Sequence, residues 1–274
     1  MNPLPLEDNY NDILSKALRG LKLSEADASR QAGLAPERLH TLLSGTFDEA
    51  DAKKIAPVLG LNAGALVASG KKSWRPQPVS LDGLAQFTTA WDDMMVNSYV
   101  VWDAASGEAA AFDTGTDCTP ILDLLKEKNL RLVCIALTHT HGDHVFELDR
   151  LKSKTGARAI VSSREPIDGA DPVADTEPFS IGKLRVTSRS TWGHSRGGLT
   201  YVIEGLARPV AVVGDAVFAG SMGGGMVSYA DALRTNREEI LTLADDTILC
   251  PGHGPFTTVG EEKQHNPFFA QTPI

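Results

Sequence analysis

His139-Thr140-His141-Gly142-Asp143-His144, near the middle of the 274-residue chain, places three imidazoles and a carboxylate within six residues. Each of these side chains is costly to bury without a polar partner, so the stretch is a poor packing unit. Imidazole nitrogen and carboxylate oxygen are ligands that zinc and similar cations prefer. A cation held by such ligands can ionise a water near neutral pH. The stretch therefore predicts a metal-dependent enzyme.

The residues before this stretch indicate how it is positioned. The apolar run Leu132–Leu137 is typical of a buried strand, and the histidines follow it at the strand end, where layered α/β folds place ligand sites. His139 and His141 are two residues apart, so they project to the same side of an extended backbone. Asp143 and His144 begin the next helix, where Asp143 can also cap free backbone N–H groups.

Further candidate ligands recur at the ends of later apolar runs. His194 follows the run KLRVTS, Asp215 ends the run PVAVVGD, and His253 follows TILC. Five of the seven histidines of the chain lie in such loops, which scattered structural histidines would not do. A carboxylate such as that of Asp215 is expensive to bury at a strand end unless it meets a cation. The pattern predicts one site assembled from several strand ends.

Composition restricts the classes of partner. A net charge of −9 disfavours binding to nucleic acid or to anionic lipid, and we expect a small-molecule substrate. The three cysteines form neither a CxxC pair nor an even set, which indicates a reducing compartment. The start of the chain lacks the features of a signal peptide, and no apolar run approaches the ~20 residues that span a bilayer. We therefore expect a cytoplasmic protein that does not enter a membrane.

The first 70 residues differ in pattern from the rest. Apolar spacing, capping residues and Gly stops predict only helices there, over residues 12–23, 24–32, 36–43, 50–59 and 63–68. Residues 71–80 are rich in Pro, Ser and charge and are interpreted as a linker. From residue 81 to 274, short β-branched runs alternate with helical segments, which predicts a layered α/β domain. The predicted helices of this domain cover residues 119–128, 145–155 and 229–243.

The helical segment is similar to the small DNA-binding domain of the Xre/Cro repressor family in the strings ASRQAGLAPERLHTLLSG and AKKIAPVLGL. By that resemblance Pro36–Leu43 would be the recognition helix of a helix-turn-helix. Residues 1–70 nevertheless carry seven Lys/Arg against nine Asp/Glu, a net charge of −2, where a DNA reader brings basic residues to phosphates. A module for dimerisation, giving a homodimer, or for covering the second domain is therefore preferred.

The ordered motifs T-H-x-H-x-D-H, GHS, GD and PGHGP resemble those of the metallo-β-lactamase-fold superfamily, over residues from about 85 to 274. The resemblance implies an αββα sandwich with the site along one edge of the two sheets. It implies two divalent metal ions, with zinc expected and iron or a mixed iron/zinc pair as the alternative. Carried over by motif, His139, His141 and His194 hold one metal, Asp143, His144 and His253 hold the second, Asp215 bridges them, and Asp113 orients a ligand.

Two further strings resemble one branch of the superfamily, the glyoxalase II-like thioesterases and the persulfide dioxygenases. These strings are GDAVFAGSMG and the segment Glu261–Phe269 with its NPFF. The chain departs from the branch where the segment usually continues Gly-Arg-x-Asp/Glu, because here it reads Gly223-Gly224-Gly225-Met226, without an Arg. It also lacks the basic C-terminal helix that grips glutathione in full-length glyoxalase II. The resemblance therefore does not indicate which part of the substrate the protein recognises.

The expected activity is hydrolysis of a thioester or related ester, in which a metal-bound hydroxide attacks the carbonyl and Asp143 orients it or accepts its proton. A persulfide dioxygenase is the first alternative, using one iron held by His139, His194 and Asp215. A lactonase is the second. A metal-sensing DNA-binding regulator is the alternative from another class, and the acidic helical segment speaks against it.

Overall fold

Two six-stranded sheets packed face to face form the centre of the fold in the computed structural model, which describes residues 4–175 and 178–270. The first sheet contains, in spatial order, β1 (Leu84–Trp91), β2 (Met94–Asp103), β3 (Glu108–Phe112), β4 (Arg131–Ala136), β5 (Arg158–Ser162) and β6 (Asp171–Val173). The second contains, in reverse spatial order, β7 (Phe179–Ile181), β8 (Leu184–Ser190), β9 (Leu199–Glu204), β10 (Val210–Gly214), β11 (Ile248–Pro251) and β12 (Thr257–Thr258). Helices flank both sheets, which confirms the predicted αββα class.

Parallel pairing in each sheet brings strand ends to one edge. Strands β3, β4, β5 and β6 run parallel in the first sheet, and β10 and β11 run parallel in the second. The facing sides of the two sheets bury aromatic and β-branched residues, among them Tyr99, Phe112 and Tyr201. This dry interior supports the loops that follow the strands.

Ten helices are found in the described residues, five of them before the first strand. They are α1 (Tyr10–Leu21), α2 (Glu25–Ala32), α3 (Pro36–Leu43), α4 (Glu49–Val58), α5 (Ala63–Gly70), α6 (Thr119–Glu127), α7 (Gly142–Val145), α8 (Leu148–Thr155), α9 (Tyr229–Thr235) and α10 (Val259–His265). Local sequence explains several boundaries. The side chains of Ser24, Asp48 and Asn62 each accept the backbone N–H of the third residue onward, which caps α2, α4 and α5.

Helices α1–α5 pack onto the part of the chain that forms the two sheets. Their apolar faces join a single buried cluster with Val202, Val213 and Leu249 on the outer face of the second sheet. Gly20 of α1 lies so close to Tyr229 of α9 that an added Cβ would meet the ring at 2.3 Å. The helical segment thus covers the sheet, whereas its relation to Xre/Cro repressors stays a prediction.

The charge of α3 is largely engaged within the helical segment. Arg38, the basic residue of the helix that the resemblance assigns to DNA reading, is bound to Asp48 and to Asp51. The arrangement leaves this helix without a free guanidinium for phosphate. No helix among the described residues is both long and apolar enough to cross a membrane.

The predicted linker, 71–80, follows the surface of α10. The Trp74 ring stacks on His265 with centroids 4.8 Å apart, and the backbone N–H of Gln77 donates to Glu261 at 2.8 Å. Arg75 donates to the backbone oxygen of Leu4 at 3.4 Å, so this stretch also contacts the start of the described chain. The outer ends of the predicted domain ranges, 1–3 and 271–274, lie outside the described residues.

Several elements differ from the sequence prediction. Residues 229–243 form α9 and then a π-helical stretch, Asn236–Ile240, in place of one helix. The predicted helix at 145–155 is divided into α7 and α8. In the segment Glu261–Phe269, Glu262 is the buried acid; it lies one helical turn before Asn266 and accepts its side-chain N–H at 2.7 Å.

Candidate metal centre

Loops that follow five strands and one short helix bring all the predicted site residues to one edge of the sandwich. Asp113 follows β3, His139 and His141 follow β4, Asp143 and His144 lie in α7, His194 follows β8, Asp215 follows β10, and His253 follows β11. These residues are spread over 141 positions of the sequence. The pairing of the strands, and not closeness along the chain, brings them together.

Two clusters can be distinguished, each with its ligand atoms within 4.8 Å of one another. The first cluster contains His139, His141, His194 and Asp215, and the second contains Asp143, His144 and His253. In the first cluster, Nδ1 of His141 lies 3.0 Å from Nε2 of His139 and 3.1 Å from Nε2 of His194. The three rings therefore face one point.

Asp215 adjoins both clusters. Its Oδ2 lies 3.3 Å from Nε2 of His194 in the first cluster and 3.5 Å from Nε2 of His253 in the second. Its Oδ1 lies 3.4 Å from Nε2 of His144. Asp143 is placed within the second cluster, with Oδ2 at 3.4 Å from Nε2 of both His144 and His253.

The spacing of these residues fits divalent metal ions. Two buried polar atoms that lack a hydrogen-bond partner also indicate a cation. Ligands ~2.0–2.1 Å from a tetrahedral ion are separated from one another by roughly 3.3 Å, close to the separations found here. Nε2 of His144 and Oδ1 of Asp215 are buried and have no hydrogen-bond partner. Leaving such atoms unpaired is costly, and a cation at this point satisfies both.

The ring nitrogens that point away from the centre are held by acceptors. Nδ1 of His194 lies 2.8 Å from the backbone oxygen of Gly224, and Nδ1 of His253 lies 2.7 Å from that of Met95. A carbonyl oxygen can only accept, so both rings donate from Nδ1 and direct the Nε2 lone pair to the centre. His139 makes the corresponding contact with the Thr138 hydroxyl at 3.0 Å.

Asp113 contacts His144 without facing the centre. Its carboxylate accepts from the backbone N–H and the hydroxyl of Thr138, at 2.7 and 2.8 Å, and lies 2.8 Å from Nδ1 of His144. The backbone of Asp113 is in the left-handed region, with φ +57°. A strained backbone of this kind is kept where the surrounding contacts over-determine it.

Burial and charge divide the histidines into two groups. Burial, together with the neighbouring imidazoles, holds the pKa of His139 well below its usual value, and burial likewise lowers the pKa of His141. Burial alone would also lower the pKa of His144, but the carboxylates of Asp113 and Asp215 hold it well above the usual value. Against the same effect of burial, Asp215 raises the pKa of His253 to about 9. Without metal, His144 and His253 of the second cluster are therefore in the charged imidazolium form at neutral pH.

Glu165 is a supporting residue that the sequence analysis missed. Its carboxylate accepts from the Thr140 hydroxyl and from the backbone N–H of Gly197, both at 2.8 Å, and so ties together the loops that carry His139 and His194. It follows the end of β5, so the strand-end position that indicated the ligands would also have indicated this residue.

The glycine run is closely packed at its first residue. A Cβ on Gly223 would lie 2.0 Å from the backbone oxygen of Asp215 and 2.8 Å from Nδ1 of His194. Only glycine permits this approach of the backbone to two residues of the site. The loop thereby places the Gly224 oxygen where it orients His194.

This fold and centre define a metallohydrolase, and comparison with known proteins gives its family. The sequence profile of the Metallo-beta-lactamase superfamily matches residues 91–253. The chain belongs to the metallo-β-lactamase superfamily.

Two relatives and one solved structure show the range of the similarity. A probable metallo-hydrolase, M6_Spy0554 of Streptococcus pyogenes serotype M6, is 30% identical over 199 residues, 62% of this chain and 84% of the relative. The hydroxyacylglutathione hydrolase GloC of Haemophilus influenzae is 26% identical, over 63% of this chain and 92% of the relative. The crystal structure of the BLEG-1 B3 metallo-β-lactamase matches with a TM-score of 0.59 at 27% identity, covering 69% of this chain and 100% of that one.

Proposed function

We propose that the protein hydrolyses a thioester or a closely related ester at a centre of two divalent metal ions. The observation that carries this proposal is the position of Asp215, whose two carboxylate oxygens reach both clusters. A carboxylate in that position suits a pair of ions better than a single one, because Oδ2 adjoins His194 of the first cluster and His253 of the second, and Oδ1 adjoins His144 of the second. Zinc is the expected metal, and an iron or mixed pair would use the same ligands.

The two ions supply Lewis acidity toward the carbonyl and make water acidic enough to act near neutral pH. The first cluster would hold one ion and the second cluster the other, and Asp215 adjoins both clusters. Thr138, Met95 and Gly224 fix the ring orientations, so the centre needs little reorganisation during the reaction.

Asp143 is the proposed proton acceptor. Its Oδ2 lies between His144 and His253, at 3.4 Å from each Nε2, so its carboxylate is directed to the place where water would be held. As water attacks the acyl carbon, Asp143 takes the proton, and the carbon–sulfur bond then breaks to release the thiol. The acid product keeps the water oxygen.

The relation to a hydroxyacylglutathione hydrolase supports a thioester over other esters, since that relative is similar over most of its length. The glutathione part of such a substrate is not carried over, because the chain reads Gly223-Gly224-Gly225-Met226, without an Arg, where the branch usually has Gly-Arg-x-Asp/Glu. We therefore propose that the substrate of this protein shares only its acyl–sulfur bond with the substrate of that relative.

The test combines metal analysis with a substrate panel. The full chain is assayed for metal content by mass spectrometry and for turnover of S-lactoylglutathione, butyrylthiocholine, a γ-lactone and glutathione persulfide. We expect about two metal ions per chain and thioester hydrolysis. Asp143→Asn should lower kcat by ~10²–10⁴-fold, whereas Asp149→Asn, an exposed acid in α8, should leave it unchanged.

Two results would overturn the proposal. One iron per chain with oxygen uptake on the persulfide would make the protein a persulfide dioxygenase. Turnover confined to the lactone would make it a lactonase. The helical segment has a proposed role in covering the second sheet, and salt-sensitive, sequence-preferring binding to DNA fragments would instead indicate a regulator.

A further inference from the structure

A cleft of about 280 Å³ lies next to His253 of the second cluster, since Gly254 and Met95 are among its lining residues. One wall is the start of the described chain, residues 4–7, and the other is formed by Asp93 of the turn between β1 and β2 and by Met94 and Met95 at the start of β2. The floor includes Gly254, the residue after His253. Because the Met95 oxygen also accepts from the His253 ring at 2.7 Å, both floor and wall are attached to a residue of the metal centre.

The first wall is held in place by contacts at both of its ends. Lys16 and the Ser221 hydroxyl both bond the carboxylate of Asp8, and Arg75 donates to the oxygen of Leu4. Between these points the backbone rests on the loop after β11, since a Cβ on Gly254 would meet the backbone N of Glu7 at 3.3 Å. The wall therefore belongs to the folded structure.

This wall lies outside the part of the chain that matches the superfamily, which begins at residue 91. The helical segment that it precedes packs onto the second sheet, and α1 carries the Lys16 that anchors it. The segment therefore brings to the metal centre a surface that the matched region does not include.

The lining of the cleft combines apolar surface with negative charge. Leu4, Leu6, Met94 and Met95 contribute apolar side chains, and Met94 and Met95 are 40% and 42% exposed although they are large and hydrophobic. Glu7 and Asp93 contribute carboxylates, and no Lys or Arg is among the described residues that line the cleft. Burial raises the pKa of the Glu7 carboxyl, and the nearby His253 acts in the opposite direction.

We propose that this cleft holds the thiol part of the substrate, and that Glu7 and Asp93 select thiols in which a cationic group is attached to a short apolar chain. The inference rests on the proposed thioester activity. The methionines and leucines take up the apolar carbons, and the two carboxylates attract the cation. Anionic thiols such as glutathione are disfavoured by the same carboxylates.

The test compares three thiols of similar size and different charge. They are thiocholine, its uncharged analogue 3,3-dimethylbutane-1-thiol and anionic 2-mercaptoethanesulfonate. Binding of each to the metal-loaded full chain is measured by calorimetry, and kcat/KM is measured for the butyryl thioester of each. We expect the cationic member to be favoured over the neutral one, and the neutral one over the anionic one, by about fivefold per step in both measurements.

Variants test whether Glu7 and Asp93 cause the selectivity for charge. Glu7→Gln combined with Asp93→Asn should remove about fivefold of the preference for thiocholine and leave the neutral thiol within about twofold. Glu7→Lys should favour the sulfonate. Asp82→Asn is the matched control, because Asp82 is an exposed acid just before the opposite end of β1. Melting temperatures confirm that the variants fold.

The outcomes separate this proposal from the function on which it rests. If thioesters are hydrolysed but charge makes no difference, or if the sulfonate binds best to the unaltered protein, the cleft proposal is wrong and the thioester function stands. If no thioester is hydrolysed while the thiols still bind in the expected order and the Glu7 variants shift it, the function is wrong and the selectivity of the cleft stands.

Discussion

Oδ2 of Asp113 lies 2.8 Å from Nδ1 of His144, and both side chains are at most 2% exposed. The ring is thereby held with Nε2 toward the metal centre, and the carboxylate makes this nitrogen a stronger ligand. Asp113→Asn should lower metal affinity ~10–100-fold, because an amide cannot offer the same negative charge to the ring. Competition with a chromogenic chelator measures this affinity.

Asp103 provides a control for that substitution. It is also a buried acid at the end of a strand of the first sheet, but its carboxylate accepts from the backbone N–H groups of Ala105 and Lys183, and it has no contact with the site. Asp103→Asn should keep the metal affinity of the unaltered chain. Equal affinity losses in the two variants would mean that a general loss of stability, and not ring orientation, is measured.

Metal stoichiometry tests the two clusters separately. His253→Ala removes a ligand of the second cluster alone, so we expect about one metal ion per chain in place of about two. Asp215→Ala removes the carboxylate that adjoins both clusters and should leave almost none. Mass spectrometry after gel filtration counts the ions. Two ions retained by the Asp215 variant would show that this residue does not bridge them.

Metal binding should release protons. His144, whose pKa is held well above its usual value, and His253, whose pKa is about 9, are protonated in the metal-free protein at pH 7. Ligation requires neutral rings, so filling the second cluster expels roughly two protons and weakens as the pH falls. Calorimetry in two buffers of different ionisation enthalpy gives the number. The same apparent enthalpy in both buffers would contradict it.

Stability should respond to Glu262, which is fully buried and whose pKa burial raises to about 8. Its folded pKa exceeds the unfolded value, so the folded state binds the proton more tightly and the free energy of unfolding falls as pH rises from about 4.5 to about 8. In Glu262→Gln this part of the pH dependence should disappear. Urea unfolding of metal-free protein at pH 5, 6.5 and 8 measures it, with Glu261→Gln as the half-buried neighbour expected to keep the trend.

Gly20 tests the packing of α1 on α9. A Gly→Ala change inside a helix usually stabilises by ~1 kcal/mol, but here the new Cβ would meet the Tyr229 ring at 2.3 Å. We expect Gly20→Ala to destabilise by about 1–3 kcal/mol. Gly64→Ala in α5, where the Cβ meets only the Asn62 side chain at 3.3 Å, should be neutral or mildly stabilising. Thermal unfolding compares the two, and a more stable Gly20 variant would exclude this packing.

Four residues of the candidate metal centre could be predicted to lie together because each of them follows an apolar strand. His139, His194, Asp215 and His253 are polar residues of ligand type at places where a strand has just ended, and parallel strands bring such ends together. The assignment to an αββα sandwich followed from the same alternation of strands and helices. Long segments with a regular repeat of apolar residues indicate their own secondary structure without knowledge of distant contacts.

The remaining parts of the site depend on contacts that no local pattern encodes. The backbone oxygens of Met95 and Gly224 orient two histidines, and any residue type supplies a backbone oxygen. The wall that includes Glu7 reaches the centre through contacts with Gly254, some 250 residues away along the chain. Two- and three-residue strands such as β6 and β12 are too short to give a period.

The shared apolar cluster beneath α1–α5 also bears on how this chain can be altered. Val202, Val213 and Leu249 are at most 5% exposed, and helices outside the superfamily match help to shield them from water. Trimming the polypeptide to the matched region would expose a hydrophobic plateau and favour self-association. A fragment that lacks α1–α5 is therefore expected to be less soluble than the full chain.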